Sequence, residues 1–339
     1  MLQNPQNSEA WTSWLWLFFS YKSDIFLLLQ NARVALAAQR ERADLIWIRS
    51  SKGIAFGALG GRLAGRRLIW DVDFEPESKG IVRILHRLGL RLSSKVIYQY
   101  QAAAEEIFGK STVVKTQSKH ISIVPGIDSS RILSESGVSR PEEESQDAKQ
   151  AFQVLLIGTV CDRKNQRLAI EILSVLKNEY GQKNVKLLCA GGVADEVYLR
   201  DIKAYIEEAR LQSDVEFLGW RDDIVALMRS ADLLILPSQN EGVPNCVQEA
   251  MLLSLPVMVS SVGGLPQVVT NDVTGWVIDS WCPRVWANKL NTVIQDSRLR
   301  NEVTRRANLH ALENFSTDTW GKRYAHAVEA VNNGCEGAK

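Results

Sequence analysis

The chain has 339 residues, 45% of them hydrophobic and 23% charged. That composition excludes a disordered chain, a collagen-like repeat and a multi-span membrane protein, and the length exceeds one comfortable core, so two domains are expected. The net charge of +1 hides an asymmetry, with 18 Lys/Arg against 11 Asp/Glu in residues 1–132 and 22 against 28 in residues 133–339. A basic first half reads either as a solvated basic face or as a surface for an anionic partner such as a phosphate-bearing substrate, a membrane or nucleic acid.

In chain order, Trp11–Tyr21 is strongly aromatic but lacks the basic region and small-residue cleavage site of a secretory signal. It is too short to span a bilayer, and Lys22, Ser23 and Asp24 separate it from the apolar run Ile25–Leu29. Strands are expected at Leu45–Ile48, Leu68–Asp71, Lys95–Tyr98 and Ile121–Val124, with helices at Gly53–Ala64 and Gln101–Phe108. A further amphipathic helix is expected over Ile81–Lys95. Ile81, Ile84, Leu85, Leu88 and Leu92 recur at helical spacing there, and Arg83, Arg87, Arg91 and Lys95 form an i, i+4 row that is either solvated or lipid-facing. Gly60-Gly61 reads as a close-packing pair. Leu133–Gln150 is polar, acidic and aperiodic, and reads as a linker.

Beyond it, strands are expected at Gln153–Ile157, Val185–Cys189, Val215–Leu218, Leu233–Leu236 and Pro256–Ser260. Helices are expected at Asn165–Glu179, Val197–Leu211 and Ile224–Arg229. Continuous apolar strands alternating with amphipathic helices predict parallel sheets covered on both faces. The expected organisation is an N-terminal Rossmann-like domain over 1–132, a linker over 133–150 and a C-terminal Rossmann-like domain over 151–335. Ligands of such sheets sit at the carboxyl ends of the strands, and two facing domains would place the site in a cleft.

The segment Pro237–Met251 carries the most chemistry. Glu241 follows the strand Leu233–Leu236 in a Gly/Pro loop, Pro244 suits a helix start, and Glu249 lies in the first turns of that helix. Free amides at a helix N-terminus make an anion site, and two carboxylates beside it can each accept hydrogen bonds from a vicinal diol. On spacing alone the two glutamates read as ordinary first-turn residues favoured by the helix dipole.

The whole run from Ala231 to Met251, with Leu255–Ser260, Gly263-Gly-Leu-Pro266 and Asn271–Trp276, resembles the donor-site signature of glycosyltransferase family 4 (group 1). The resemblance covers most of residues 151–335, and Val124–Asp128 looks like the end of the family's N-terminal domain. It implies a retaining enzyme of the GT-B fold, two Rossmann-like domains facing across a cleft. Glu249 would then bind the donor ribose and Glu241 the donor sugar, with backbone amides around Gly242, Val243 and Asn245 facing the sugar and diphosphate. Leu155–Asn165 resembles the basic phosphate loop, with Lys164 as its lysine and Arg163 assisting, and Leu218–Arg221 looks like the loop that holds the base. A departing nucleoside diphosphate builds negative charge that a metal-free site must meet with Lys, Arg and amides.

The chain also departs from the family pattern. Thr159 stands where the family has an arginine after the phosphate-loop glycine, Ser254 replaces a glycine and Gln267 an acidic residue. The N-terminal domain is shortened and lacks the usual first strand and Gly-rich loop. Asp73 falls nearest the family's active-site histidine, where it would orient the acceptor or stabilise positive charge at the sugar carbon. Asp71-Val-Asp73 also spells the D-x-D of metal-dependent glycosyltransferases, but the second-half resemblance points to the metal-free fold, so neither metal nor cofactor is expected.

The histidines (His86, His120, His310, His326) have no ligand spacing, and the five cysteines no zinc or disulfide spacing. The expectation is a cytoplasmic glycosyltransferase, peripheral on the inner face of the membrane. It would use a UDP- or GDP-linked sugar and a glycan or lipid-linked acceptor, and take no nucleic acid as partner. The alternative is a non-catalytic scaffold or a donor-binding subunit that needs a partner chain.

Overall fold

The computed structural model describes residues 21–72, 80–135 and 151–333. Asp73, most of the linker and the aromatic stretch before Tyr21 lie outside the described residues. The chain divides into two compact units. The first comprises residues up to Gln99, Ala103–Ser122 and the chain from Ala325 onward, and the second Tyr100–Ala102 and Ile123–Tyr324.

The first described element of the first unit is a helix that the sequence did not announce, α1 (Tyr21–Arg40). Lys22, Ser23 and Asp24 do not break it, because the Leu-, Ala-, Gln- and Arg-rich run behind them consists of strong helix formers. Four parallel strands follow, β1 (Leu45–Arg49), β2 (Arg67–Asp71), β3 (Lys95–Tyr98) and β4 (His120–Ser122), paired in sequence order. β4 stops at Ser122 rather than Val124 because its partner β3 ends opposite, at Tyr98.

Between β1 and β2 the expected helix starts early. α2 (Ser50–Gly53) and α3 (Leu59–Leu63) are joined by a π-helical segment, Ile54–Ala58. Asn31 of α1 braces that segment, donating to the Ala55 carbonyl (2.9 Å) and accepting from the Gly60 amide (2.9 Å). The glycine pair is there for packing, as expected. A Cβ on Gly60 would lie 2.0 Å from the Asn31 carbonyl oxygen, and one on Gly61 would lie 2.7 Å from Leu68.

α4 (Ile81–Leu92) corrects the helix expected to reach Lys95. Ser93 is already extended, and Lys95 opens β3 with its ammonium on the Ser118 carbonyl (2.6 Å), so the basic row keeps three arginines and loses its lysine. α5 (Ala103–Phe108) and α6 (Lys110–Lys115) lead to β4. Trp70, His86, Tyr98, Phe108 and His120 form a ring cluster over this sheet. His86 is buried against the Ser51 hydroxyl (3.0 Å) and His120 bonds Tyr98 (2.8 Å), so both histidines serve the core. Burial pushes the Tyr98 hydroxyl up and the His120 ring down.

The second unit opens with α7 (Ser129–Glu135) and carries a six-stranded sheet. Its strands are β5 (Phe152–Ile157), β6 (Val185–Ala190), β7 (Val215–Gly219), β8 (Leu233–Leu236), β9 (Val257–Ser260) and β10 (Trp276–Ile278). All pairings are parallel, in the order β10-β9-β8-β5-β6-β7. The expected helices are present as α8 (Gln166–Glu179), α9 (Glu196–Glu208) and α10 (Ile224–Ser230), followed by α11 (Asn245–Leu252) and the short α12 (Leu265–Val268).

Beyond Ser260 the sequence reading placed no elements. The structure adds α12, the three-residue β10, and α13 (Pro283–Gln295), α14 (Ser297–Asn314) and α15 (Thr317–Asn333). A strand of three residues is too short to show a period, and α14 is mostly polar. Leu156, Leu233, Trp276 and Trp286 are all fully buried in this unit's core.

Strand order reverses between β5 and β8. Chain leaving β5 runs outward to β6, while β8 pairs on its other side. Loops at such a switch point diverge and leave a crevice at the carboxyl ends of the two strands. The two motif-bearing segments of the sequence are those loops.

Candidate functional site

The loop after β5 begins at Gly158 and makes a short turn over Asp162–Lys164. Asn165 follows in the left-handed region (φ +53°), a conformation asparagine tolerates, and its side chain caps α8 by accepting from the Leu168 amide. This reversal folds Lys164 back over Gly158, where a Cβ would come within 2.9 Å of the lysine Cε.

The Lys164 ammonium donates to Glu241 Oε1 at 2.6 Å, and both residues are buried (8% and 5% exposed). Arg163, more exposed, reaches Glu241 Oε2 at 3.4 Å and the Asn240 carbonyl at 3.2 Å, and its own carbonyl accepts from the Gln239 amide at 2.9 Å. Two segments 77 residues apart are thus laced into one charged floor at the switch point.

The loop after β8 is held from below by glycines. Gly263 has φ +53°, and a Cβ there would lie 1.7 Å from the Glu241 carbonyl oxygen. The Gly264 amide donates to the Gly242 carbonyl (2.9 Å). The glycine pair of the sequence motif is therefore a backbone clamp on Glu241-Gly242. Gly242 and Val243 are buried, while Asn245 is exposed as the first residue of α11. Pro244 sits one position before the helix as its cap rather than inside it.

Cys246 occupies the second position of α11, and its thiol feels the charges of Lys164, Glu241 and Glu249. Burial pushes its thiol up to about 12, which disfavours the thiolate there. Gln248, fully buried, donates to the Pro125 carbonyl (2.8 Å), and its Oε1 has no partner among the described residues. Ser238 also keeps a buried, unpartnered hydroxyl at the end of β8, while its carbonyl accepts from Ser260 Oγ (2.6 Å).

Glu249 is half-buried, and burial holds its carboxyl above the ordinary range. Arg131 of α7 partly offsets this, and Glu135 adds to it. Sequence reasoning missed Arg131, which is 118 positions away and carries no motif. An acid whose folded value is raised binds its proton more readily in the folded state. The stability it contributes is fully present below the unfolded value of ~4.3 and is lost as pH rises through the raised value. Urea unfolding between about pH 4 and 7 is expected to show wild type losing stability relative to Glu249→Gln as pH rises, with no such trend in their difference if the group is not raised.

The remaining expected site residues stand differently. Thr159 is exposed, with its carbonyl accepting from Gln166 Nε2 (3.0 Å). Arg221 is exposed and engages Asp223 through two nitrogens (2.7 and 2.5 Å). Among the described residues there is no cluster of three or more His, Cys, Asp or Glu able to hold a metal ion, and no helix is long and apolar enough to cross a membrane.

Two all-parallel α/β units, a smaller four-stranded one followed by a six-stranded one with charged loops at its switch point, are the architecture of GT-B proteins. The fold matches the solved structure of Anabaena Alr3699/HepE in complex with UDP, with a TM-score of 0.74 and 23% identity over 88% of this chain and 82% of that one. The model of the family of glycosyl transferases group 1 matches residues 139–310, and the chain belongs to that family.

Among curated relatives, it is 27% identical to the D-inositol 3-phosphate glycosyltransferase of Corynebacterium glutamicum (strain R) over 53% of this chain and 43% of the relative. It is 24% identical to the UDP-Gal:alpha-D-GlcNAc-diphosphoundecaprenol alpha-1,3-galactosyltransferase of Escherichia coli over 71% of this chain and 64% of the relative. The chain spans less than half the length of the first of these.

Proposed function

We propose that the protein is a retaining glycosyltransferase that moves a sugar from a UDP- or GDP-linked donor to an acceptor hydroxyl. The observation that carries this reading is the buried Lys164–Glu241 pair, held with Arg163 beside the N-terminus of α11 at the switch point of the second sheet. The Lys164 ammonium has three donors, of which Glu241 takes one, leaving others for a diphosphate. As the glycosidic bond to phosphate breaks, charge grows on the leaving oxygen, and Lys164, Arg163 and the amides of Gly242, Val243 and Asn245 meet it at no reorganisation cost. The lone pairs of Glu241 that Lys164 and Arg163 leave unused accept from the donor sugar, and Glu249 accepts from the ribose diol. Leu218–Arg221 and Thr159 border the nucleoside in this reading, and Asp73 orients the acceptor.

The second unit is thus the donor domain and the first the acceptor side. The names of the curated relatives support an acceptor that is an inositol phosphate or a lipid-linked sugar, which suits assembly of surface polysaccharide or glycolipid at the inner face of a membrane. The basic excess of residues 1–132 accords with an anionic acceptor.

The test is melting of the purified chain with UDP, GDP, ADP and CMP, followed by turnover of the sugar conjugate of whichever nucleotide stabilises it. A ligand at ~100 times its dissociation constant adds about 2.7 kcal/mol. Stabilisation by one nucleoside diphosphate, followed by donor turnover, is the expected result. No stabilisation of a folded sample by any of them sinks the reading, and stabilisation without turnover replaces it with a donor-binding subunit.

A further inference from the structure

α4 is the feature that neither the fold nor the switch-point site accounts for. At ~100° per residue, three arcs follow one another around its axis. The first holds the buried residues His86, Gly89 and Leu90, the second the exposed row Arg83, Arg87 and Arg91, and the third the stripe Ile81, Ile84 and Leu88. The packing arc is already full, since a Cβ on Gly89 would strike Trp70 at 2.6 Å. The apolar stripe is therefore surplus to the core, and Ile84 is 61% exposed.

The three arginines make no ion pair or hydrogen bond among the described residues, and all three line a cavity of about 800 Å³ between α4 and α5–α6. Lys119 adds a fourth cation there, although its ammonium is committed to the Leu90 and Ser93 carbonyls that end α4. On the facing wall are Glu105, which lies 4.0 Å from Lys110, and Glu106. The cavity runs to Arg91 and Lys119, beside the amino ends of β3 and β4, whereas ligands of parallel sheets bind at the carboxyl ends.

We propose that α4 is a docking element for an anionic bilayer, with Arg83, Arg87 and Arg91 taking lipid phosphates and Ile81, Ile84 and Leu88 entering the interface beside them. Guanidinium forks match phosphate oxygens, and an apolar stripe flanked by a basic row is the pattern of an interfacial helix. A soluble phosphate would use the arginines and leave the stripe idle, which is why the lipid is the occupant chosen. No residue of the donor site takes part, so this proposal stands or falls apart from glycosyl transfer.

The test is co-sedimentation of the full chain with vesicles of phosphatidylcholine alone and of phosphatidylcholine mixed with phosphatidylglycerol. Wild type is expected to partition onto the mixed vesicles and to come off with added salt. Each basic side chain near an anionic surface is worth roughly fivefold, so Arg83→Gln/Arg87→Gln/Arg91→Gln together should lose on the order of a hundredfold. Ile84→Gln/Leu88→Gln should also lose partition with every charge kept. All these side chains are exposed, and circular dichroism melting checks that both variants fold as wild type does. The proposal is overturned if wild type does not partition, if it binds phosphatidylcholine alone equally well, or if either folded variant partitions like wild type. Stabilisation by inorganic phosphate without vesicle binding also overturns it.

Discussion

Glu241→Ala is expected to cost about 3 kcal/mol of folding stability, because it strands the Lys164 ammonium in a buried site without its counter-charge. For a unit of this size that corresponds to a fall of roughly 6–12 °C in melting temperature. Arg163 cannot take over the role of Glu241, since it carries the same charge as Lys164 and lies on the same loop. Glu241→Gln keeps an acceptor for the lysine and should lose less. Lys164→Met is expected to cost less than Glu241→Ala, because the Glu241 carboxylate retains Arg163 at 3.4 Å. The Lys164→Met/Glu241→Ala double variant should be clearly more stable than the sum of the single losses predicts. Urea titration of the four chains measures the coupling. Strict additivity would mean that the pair contributes nothing, and the charged floor would then have to be held by the glycine clamp alone.

Glu249→Ala should separate binding from folding. Its carboxyl is half-buried at an electrostatic cost, and Arg131 keeps Glu135 at 2.9 Å when Glu249 is removed, so no charge is orphaned. The melting temperature without ligand is expected to stay the same or rise slightly. Nucleotide affinity is expected to fall by about 30- to 150-fold, the equivalent of roughly 2–3 kcal/mol for hydrogen bonds from a diol to a charged acceptor. Calorimetric titration of the variant with the nucleotide that stabilises wild type is the measurement. Unchanged affinity would remove Glu249 from the nucleotide site and send the search for a ribose partner elsewhere on the unit.

Much of this architecture is readable from local pattern. Leu233–Leu236 is a strand with the expected boundaries, because a strand buried on both faces must be a continuous apolar run, a signal contained within a few residues. The segment Ala231–Met251 is equally local, since a strand, a Gly/Pro loop and a helix start carry its chemistry in consecutive residues. Sequence by itself therefore determined the parallel α/β class and the segments that hold the charged groups.

Tertiary structure decided how those groups meet. Lys164 and Glu241 share a proton-donor bond across 77 positions only because β5 and β8 are neighbours at the point where strand order reverses. Gly263 owes its identity to a carbonyl oxygen 22 residues earlier, and the charge of Arg131, on a helix with no motif, acts on Glu249. The end of α4 at Leu92 was likewise settled by pairing. Lys95 fits the helical period as well as Arg91 does, but β2 offers the 95–97 segment a ladder of strand hydrogen bonds that continued helix would forgo.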